Sequence, residues 1–300
     1  MMFVKRIPAL LCATLLAVCY MGLVACGDSN AQGQTEAPGD VVDQPEESTL
    51  DSESDDESSH AKKYLGVWQT AGYVADGITI TGDLDSALGS GLDMVLSIEQ
   101  NGKGTFSYMA EDYPVDWSAT DDTLSIATAT EVAGGDILLG FRNGSYDETD
   151  YIAIDFSYDN DSLLLPLSDS EQVILAKDGT IEDMPAVSVG DLEPITSADG
   201  VLGTWQIRGV AMGDTTFYGS GANLFQAIGL DIEDDEAASL TFGEDGTATF
   251  LGGNLEWRIE DDKLVLADPE MQIPVASLGD DIAVDVSSLS DSPMVMVFSK

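Results

Sequence analysis

One pattern occurs twice along the chain, and it restricts the fold more than any other feature. Leu65-Gly66-Val67-Trp68-Gln69 returns as Leu202-Gly203-Thr204-Trp205-Gln206, and Asn101-Gly102-Lys103-Gly104-Thr105-Phe106 returns as Asp245-Gly246-Thr247-Ala248-Thr249-Phe250. Trp117 then answers to Trp257, and Asp121-Asp122-Thr123-Leu124 to Asp261-Asp262-Lys263-Leu264, with the order preserved. The spacing of about 140 residues is too long for a solenoid repeat and suits two whole domains.

Inside each unit the periodicity is that of strands. Leu92, Met94, Leu96 and Ile98 alternate with more polar neighbours, and Asn101-Gly102 then turns the chain into Phe106 and Tyr108, the strongest short-range hairpin signal. Further strands are predicted around Trp117 and over 123–127, 151–156, 162–167 and 171–176. In the second unit they fall at Leu240 and Phe242, at Ala248 and Phe250, around Trp257 and over 263–267, 271–276, 281–286 and 294–299. Leu224, Phe225 and Ile228 share one helical face, and a shorter helix is expected near 85–88. The copies are unequal, because 129–149, with Ile137-Leu138-Leu139-Gly140-Phe141, has no counterpart in the second unit. These signals predict an all-β chain of two tandem small antiparallel units, over 61–178 and 201–300. They are joined by a linker, 179–200, punctuated by Gly179, Pro185, Gly190, Pro194 and Gly200 and holding one short edge strand near 186–189.

A Gly-x-Trp opening a small antiparallel meander resembles the first strand of lipocalin-like, calycin-type barrels, and particularly the short lipocalin-like domains of bacterial lipoproteins. The resemblance covers both units. It implies that Gly66 and Trp68, and Gly203 and Trp205, close one end of each barrel with the Trp packed across the base. The family's later motif, a basic residue above that Trp, has no evident counterpart in the sequence. Barrels of about eight strands are filled by side chains or hold one small ligand. Tyr108, Trp117 and Trp257 are the candidates to line a ligand pocket, and unit one, with its extra element, has the longer wall.

The first 25 residues contain no acid, carry Lys5 and Arg6, and run almost wholly apolar from Ile7 to Ala25, the pattern of a secretory signal over 1–25. The segment ends Leu23-Val24-Ala25-Cys26-Gly27, which resembles the bacterial lipobox. The resemblance implies cleavage between Ala25 and Cys26 and diacylation of the Cys26 sulfur, so that membrane lipid is the first partner, on the extracytoplasmic face of the cell membrane. Residues 27–60 hold eleven acids and no Lys or Arg, and such a stretch cannot bury a core. With lipidated Cys26 it forms an acidic tether, 26–60, that holds the body off the membrane.

Charge and residue types then exclude function classes. Fifty-five acids against 11 bases give a net charge of −44, which repels nucleic-acid backbones and anionic lipid alike. Beyond residue 26 there is no Cys, and His60 is the only His in the chain, so thiol, Ser-His-Asp and His- or Cys-based metal chemistry lack their parts. The clusters Asp121-Asp122, Asp159-Asn160-Asp161, 233–236 and Asp261-Asp262 do not have EF-hand spacing and read as turn residues. No catalytic residue, metal ligand or cofactor is assigned. The reading is a non-enzymatic binding or interaction module for a small apolar or glycan ligand; the alternatives are a carboxylate-dependent glycan hydrolase and a spacer without ligand.

Overall fold

In the computed structural model, residues 61–88, 91–129, 138–145, 150–230, 238–268, 271–289 and 293–300 are described. Cys26, the tether, His60, Ile137 and the 233–236 cluster lie outside them. The described chain is nearly all β. Its first part comprises β1 (Gly66–Ala75), β2 (Ile78–Gly82), helix α1 (Leu84–Leu88), β3 (Met94–Ile98), β4 (Lys103–Tyr108), β5 (Glu111–Ala119), β6 (Thr123–Ala129), β7 (Tyr151–Asp159), β8 (Ser162–Pro166) and β9 (Glu171–Ala176). After β10 (Glu193–Pro194) the pattern repeats: β11 (Gly203–Met212), β12 (Thr215–Tyr218), α2 (Gly221–Ala227), β13 (Ser239–Phe242), β14 (Thr247–Phe250), β15 (Gly253–Glu260), β16 (Lys263–Asp268), β17 (Met271–Leu278), β18 (Asp281–Asp285) and β19 (Met294–Ser299).

Antiparallel pairing runs from β1 through β3, β4, β5, β6, β7, β8 and β9 and back to β1, closing a ring of eight strands. A second ring runs from β11 through β13, β14, β15, β16, β17, β18 and β19 back to β11. The fold is therefore all-β with two tandem eight-stranded barrels: the strands follow the alternation of apolar residues, and their closure is what the lipocalin-like resemblance implies. Closure satisfies every strand edge, and the inward residues of eight strands suffice to fill the lumen. In barrel one these include Met94, Leu96, Phe106, Tyr113, Leu124 and Phe156, all fully buried.

The strands that lie outside the rings decide how the barrels meet. A bulge between Thr70 and Gly72 bends β1, so that Gly66–Gln69 pair with β3 while Gly72–Ala75 pair with β2. The same bulge recurs in β11 between Ile207 and Gly209, and Gly209–Met212 pair with β12. Each hairpin thus projects one strand beyond its ring, and the two projecting strands pair with each other: Thr79↔Tyr218, Ile80↔Phe217, Thr81↔Thr216 and Gly82↔Thr215. One sheet runs across the seam in the order β9, β1, β2, β12, β11, β19, and a single apolar cluster extends through both barrels, with Ile78 and Ile80 of β2 in it.

The linker is a strap over this seam. Ile181 packs where a Cβ on Gly72 would stand, 2.8 Å from it. The guanidinium of Arg208 donates to the carbonyl of Asp183 and, at 2.8 Å, to the Asp281 carboxylate, and the Tyr218 hydroxyl donates to the Pro185 carbonyl. The N–H of Val187 donates at 2.9 Å to the hydroxyl of fully buried Thr216, and the Val187 side chain packs with Ala211, Ala283, Val295 and Val297 on the outside of barrel two. The edge strand expected near 186–189 is displaced. Those residues are spent on the strap and a 3-10 turn, Val189–Asp191, closed by reciprocal bonds between Ser188 and Asp191, and the short strand is β10, paired with β17.

Gly82 tests the seam. Its φ is +88°, and a Cβ there would lie 2.1 Å from the carbonyl oxygen of Asp214. Gly82→Ala is expected to destabilise the chain by at least about 2 kcal/mol, and Thr216→Val, which strands the Val187 N–H, by about 1–3 kcal/mol, both measured by urea unfolding.

Candidate functional site

The base of each barrel is built from the same parts. The indole N–H of Trp68 donates to the carbonyl of Tyr64, and that of Trp205 to the carbonyl of Val201, both at 2.7 Å. Trp68 is 1% exposed and Trp205 5%, so both are buried, with Gly66 and Gly203 opening the strands that carry them. A basic residue does lie over each ring, contrary to the expectation from the sequence. The ammonium of Lys177 is 4.9 Å from the Trp68 ring centroid and that of Lys300 is 4.7 Å from that of Trp205. Each also donates to a carbonyl five residues before its Trp, Lys177 to Lys63 at 2.8 Å and Lys300 to Gly200 at 2.6 Å. The lysines follow the last strand of each ring, so only closure of the ring brings them to the first strand. Fixed on a carbonyl and an aromatic face, each contributes about 0.5–1 kcal/mol through the ring.

The two bases differ above the Trp. In barrel one the Tyr64 ring meets Tyr158 edge-on at 5.4 Å, and Tyr158 meets Trp68 at 6.3 Å. The Tyr64 hydroxyl lies 3.0 Å from the Thr120 carbonyl and 3.1 Å from that of Asp121, and the Lys63 ammonium sits 4.1 Å over the Tyr158 ring. Burial, and then the charge of Asp122, pushes the Tyr64 phenol up to about 12. Tyr158 is pushed up to about 12 chiefly by donating to the Asp161 carboxylate. The corresponding positions of barrel two hold Val201 and Ser277. There β10 pairs with β17 opposite Ser277, and the carbonyl of Ile195, which packs on the core, accepts from the N–H of Leu264 at 2.9 Å.

The candidate pocket residues are not brought together. Trp117 and Trp257 lie half-buried across the β3–β4 and β13–β14 hairpins, at the base end, with their indole N–H groups on the carbonyls of Glu99 and Gly243, both at 2.8 Å. Their backbone N–H groups bond the turn glycines' carbonyls, Gly102 at 3.0 Å and Gly246 at 2.8 Å. Tyr108 is at the far end of β4, opposite Met94, with its ring edge-on to Phe141 at 5.0 Å. The length of β4 separates it from Trp117, roughly 17 Å at 3.3 Å per residue. Leu138 is fully buried in the core, and so are Leu224 and Phe225 of α2, on the one helical face that the sequence predicts. An external hollow of about 200 Å³ at the mouth of barrel one is lined by Thr70, Asp83, Leu84, Asp85, Leu92 and Asp93. Inside barrel one, the buried Tyr113 hydroxyl has no hydrogen-bond partner among the described residues, and burial raises its pKa, followed by the charge of Glu111.

The acid clusters within the described residues occupy turns. Asn160 and Asp161, and Asp261 and Asp262, have left-handed backbones, which short polar side chains tolerate best. Among the described residues no group of three His, Cys, Asp or Glu side chains gathers where a metal ion could be held.

No protein-family model matches the chain, and no curated protein matches it. Among solved structures, that of an uncharacterised protein from Bacteroides eggerthii is 14% identical and covers 37% of this chain and 97% of its own, with a TM-score of 0.18. That of a protein of unknown function of the DUF3598 family from Nostoc punctiforme is 12% identical and covers 81% of this chain and 98% of its own, also with a TM-score of 0.18. The fold of this chain is read from its own strand pairing.

The tyrosines give a pH dependence with a definite sign. Tyr64, Tyr158 and Tyr218, the last raised mainly by burial, keep their protons to about 12 in the folded chain, whereas an unfolded tyrosine loses its proton near 10. Between these values the folded state binds more protons, so stability present below pH ~10 is expected to fall as pH rises through that window. Urea midpoints across the range, read beside tyrosinate absorbance, check this. At the bases, Lys177→Met and Lys300→Met are each expected to lower stability by about 1 kcal/mol.

Proposed function

We propose that the chain is a lipid-anchored extracytoplasmic lipoprotein whose fused barrels act as a non-enzymatic interaction module, presented above the membrane on an acidic tether. The observation that carries this reading is the large apolar side chains buried inside both rings, together with the fusion of the barrels through the seam. A barrel whose interior is occupied by its own side chains has its outer surface left for recognition. Two barrels locked by β2 and β12 present that surface as one rigid unit, which reduces the ordering cost of binding. A spacer without a partner shares these features and is the second reading.

The anchor rests on the Leu23-Val24-Ala25-Cys26 sequence. Thioether diacylation supplies two chains, the number that stable attachment needs. Mass analysis of the mature protein is expected to give an N-terminus at Cys26 carrying diacylglycerol, and Cys26→Ser an uncleaved precursor; an N-terminus elsewhere removes the anchor. For the body, titration with small apolar and glycan probes is expected to leave tryptophan emission without a saturable change. Saturable binding inside either barrel, or glycan turnover lost with one Asp or Glu substitution, overturns the proposal.

A further inference from the structure

The lysines of barrel one gather at one end, whereas acids stand at both, with Glu99, Asp116, Asp121, Asp122, Asp159 and Asp161 beside the lysines at the base. Lys62, Lys63, Lys103 and Lys177 all stand at the base, by the register of β1, β4 and β9. Among the described residues of the mouth loops the only base is Arg142, against acids that include Asp83, Asp85, Asp93, Glu111, Asp112 and Asp169. Within this acidic rim lies apolar surface. Met109, at the tip of the β4–β5 hairpin, is 57% exposed and Leu139 is 46% exposed, and between them in the chain's folding Tyr108 packs edge-on against Phe141, a half-buried neighbour of Leu139.

The hairpin tip is also the wrong local chemistry for its shape. Tyr108 pairs with Glu111, so Met109 and Ala110 are the two central residues of the turn, and both have left-handed backbones, with φ of +52° and +62°. Such turns favour Asn-Gly or Asp-Gly. The turns at Asn160-Asp161 and Asp261-Asp262 carry polar residues, as that preference dictates, and the counterpart of this tip in barrel two, Leu251-Gly252, has an apolar residue at the first position but keeps glycine at the second. An exposed methionine in a strained position contributes nothing to the barrel core. A flexible, polarisable side chain in that place suits contact with a partner.

We propose that the mouth of barrel one docks a cationic amphipathic peptide segment of a partner protein, its apolar residues on Met109, Leu139 and Phe141 and its Lys or Arg side chains on the acidic rim. The inference rests on the interaction-module reading and names its partner chemistry. The charge pattern selects this occupant: an anionic lipid surface is repelled by the rim, and a neutral apolar segment leaves the acids unused. Electrostatic attraction speeds encounter and is screened by salt, while the apolar contacts persist.

The test uses the chain without its first 25 residues and with Cys26→Ser, and as probe a dye-labelled amphipathic peptide of Leu and Lys, with a Leu/Glu peptide of the same pattern as control. Anisotropy is expected to show saturable binding of the Lys peptide alone, weakened but retained at physiological salt. Replacing the tip with the turn's preferred residues, Met109→Asn with Ala110→Gly, is expected to keep or raise the thermal midpoint while weakening binding about tenfold. Leu139→Ser is expected to weaken it similarly, and Ile259→Ser on barrel two to leave it unchanged. Equal binding by all variants would mean diffuse attraction to an acidic surface and would sink this inference while leaving the module reading intact. Binding of the parent to phosphatidylglycerol vesicles, lost with the tip replacement, would replace the peptide by a membrane and also overturn it. Glycan turnover would overturn the module reading itself.

Discussion

Backbone pairing between β2 and β12 is the interaction on which the shape of this molecule depends. Each barrel closes its own ring, and each throws one hairpin strand beyond it because a bulge bends the opening strand. A projecting strand with a free edge is a template for unwanted pairing. Here the two edges satisfy each other over four residue pairs, and the duplicated hairpin that would be a liability in one copy becomes a joint in two. The strap over 181–187 then covers the outer side of the joint through Val187, Thr216, Arg208 and Tyr218. This makes the two-barrel body one mechanical unit.

Within that frame the two copies solve one problem in two ways. Both bury a Trp under a Lys at the base, which satisfies the indole N–H and places the ammonium on carbonyl and ring together. Barrel one completes the base with Tyr64 and Tyr158, and barrel two with Ile195 from the linker. The linker can serve barrel two in this way because the small residues Val201 and Ser277 stand where barrel one has its tyrosines.

The sequence by itself determined the strands. Alternation at Leu92, Met94, Leu96 and Ile98, the Asn101-Gly102 turn and the Asp-Asp turns are local signals, because side-chain direction in a strand and positive φ in a turn depend on neighbouring residues only. The repeat of Gly66-Trp68 at Gly203-Trp205 likewise marked two equivalent buried tryptophans, and the shared face of Leu224, Phe225 and Ile228 marked a helix. What only the tertiary structure decided is where distant segments meet. The runs Ile78–Gly82 and Thr215–Tyr218 are short and rich in β-branched residues, and nothing in them specifies each other as partner, since ladder hydrogen bonds are made by backbone groups that every residue shares. Lys177 and Lys300 reach their tryptophans only because the last strand of a closed ring lies beside the first. Tyr108 and Trp117, near neighbours in sequence, are parted to opposite ends because β4 and β5 run the length of the barrel between them.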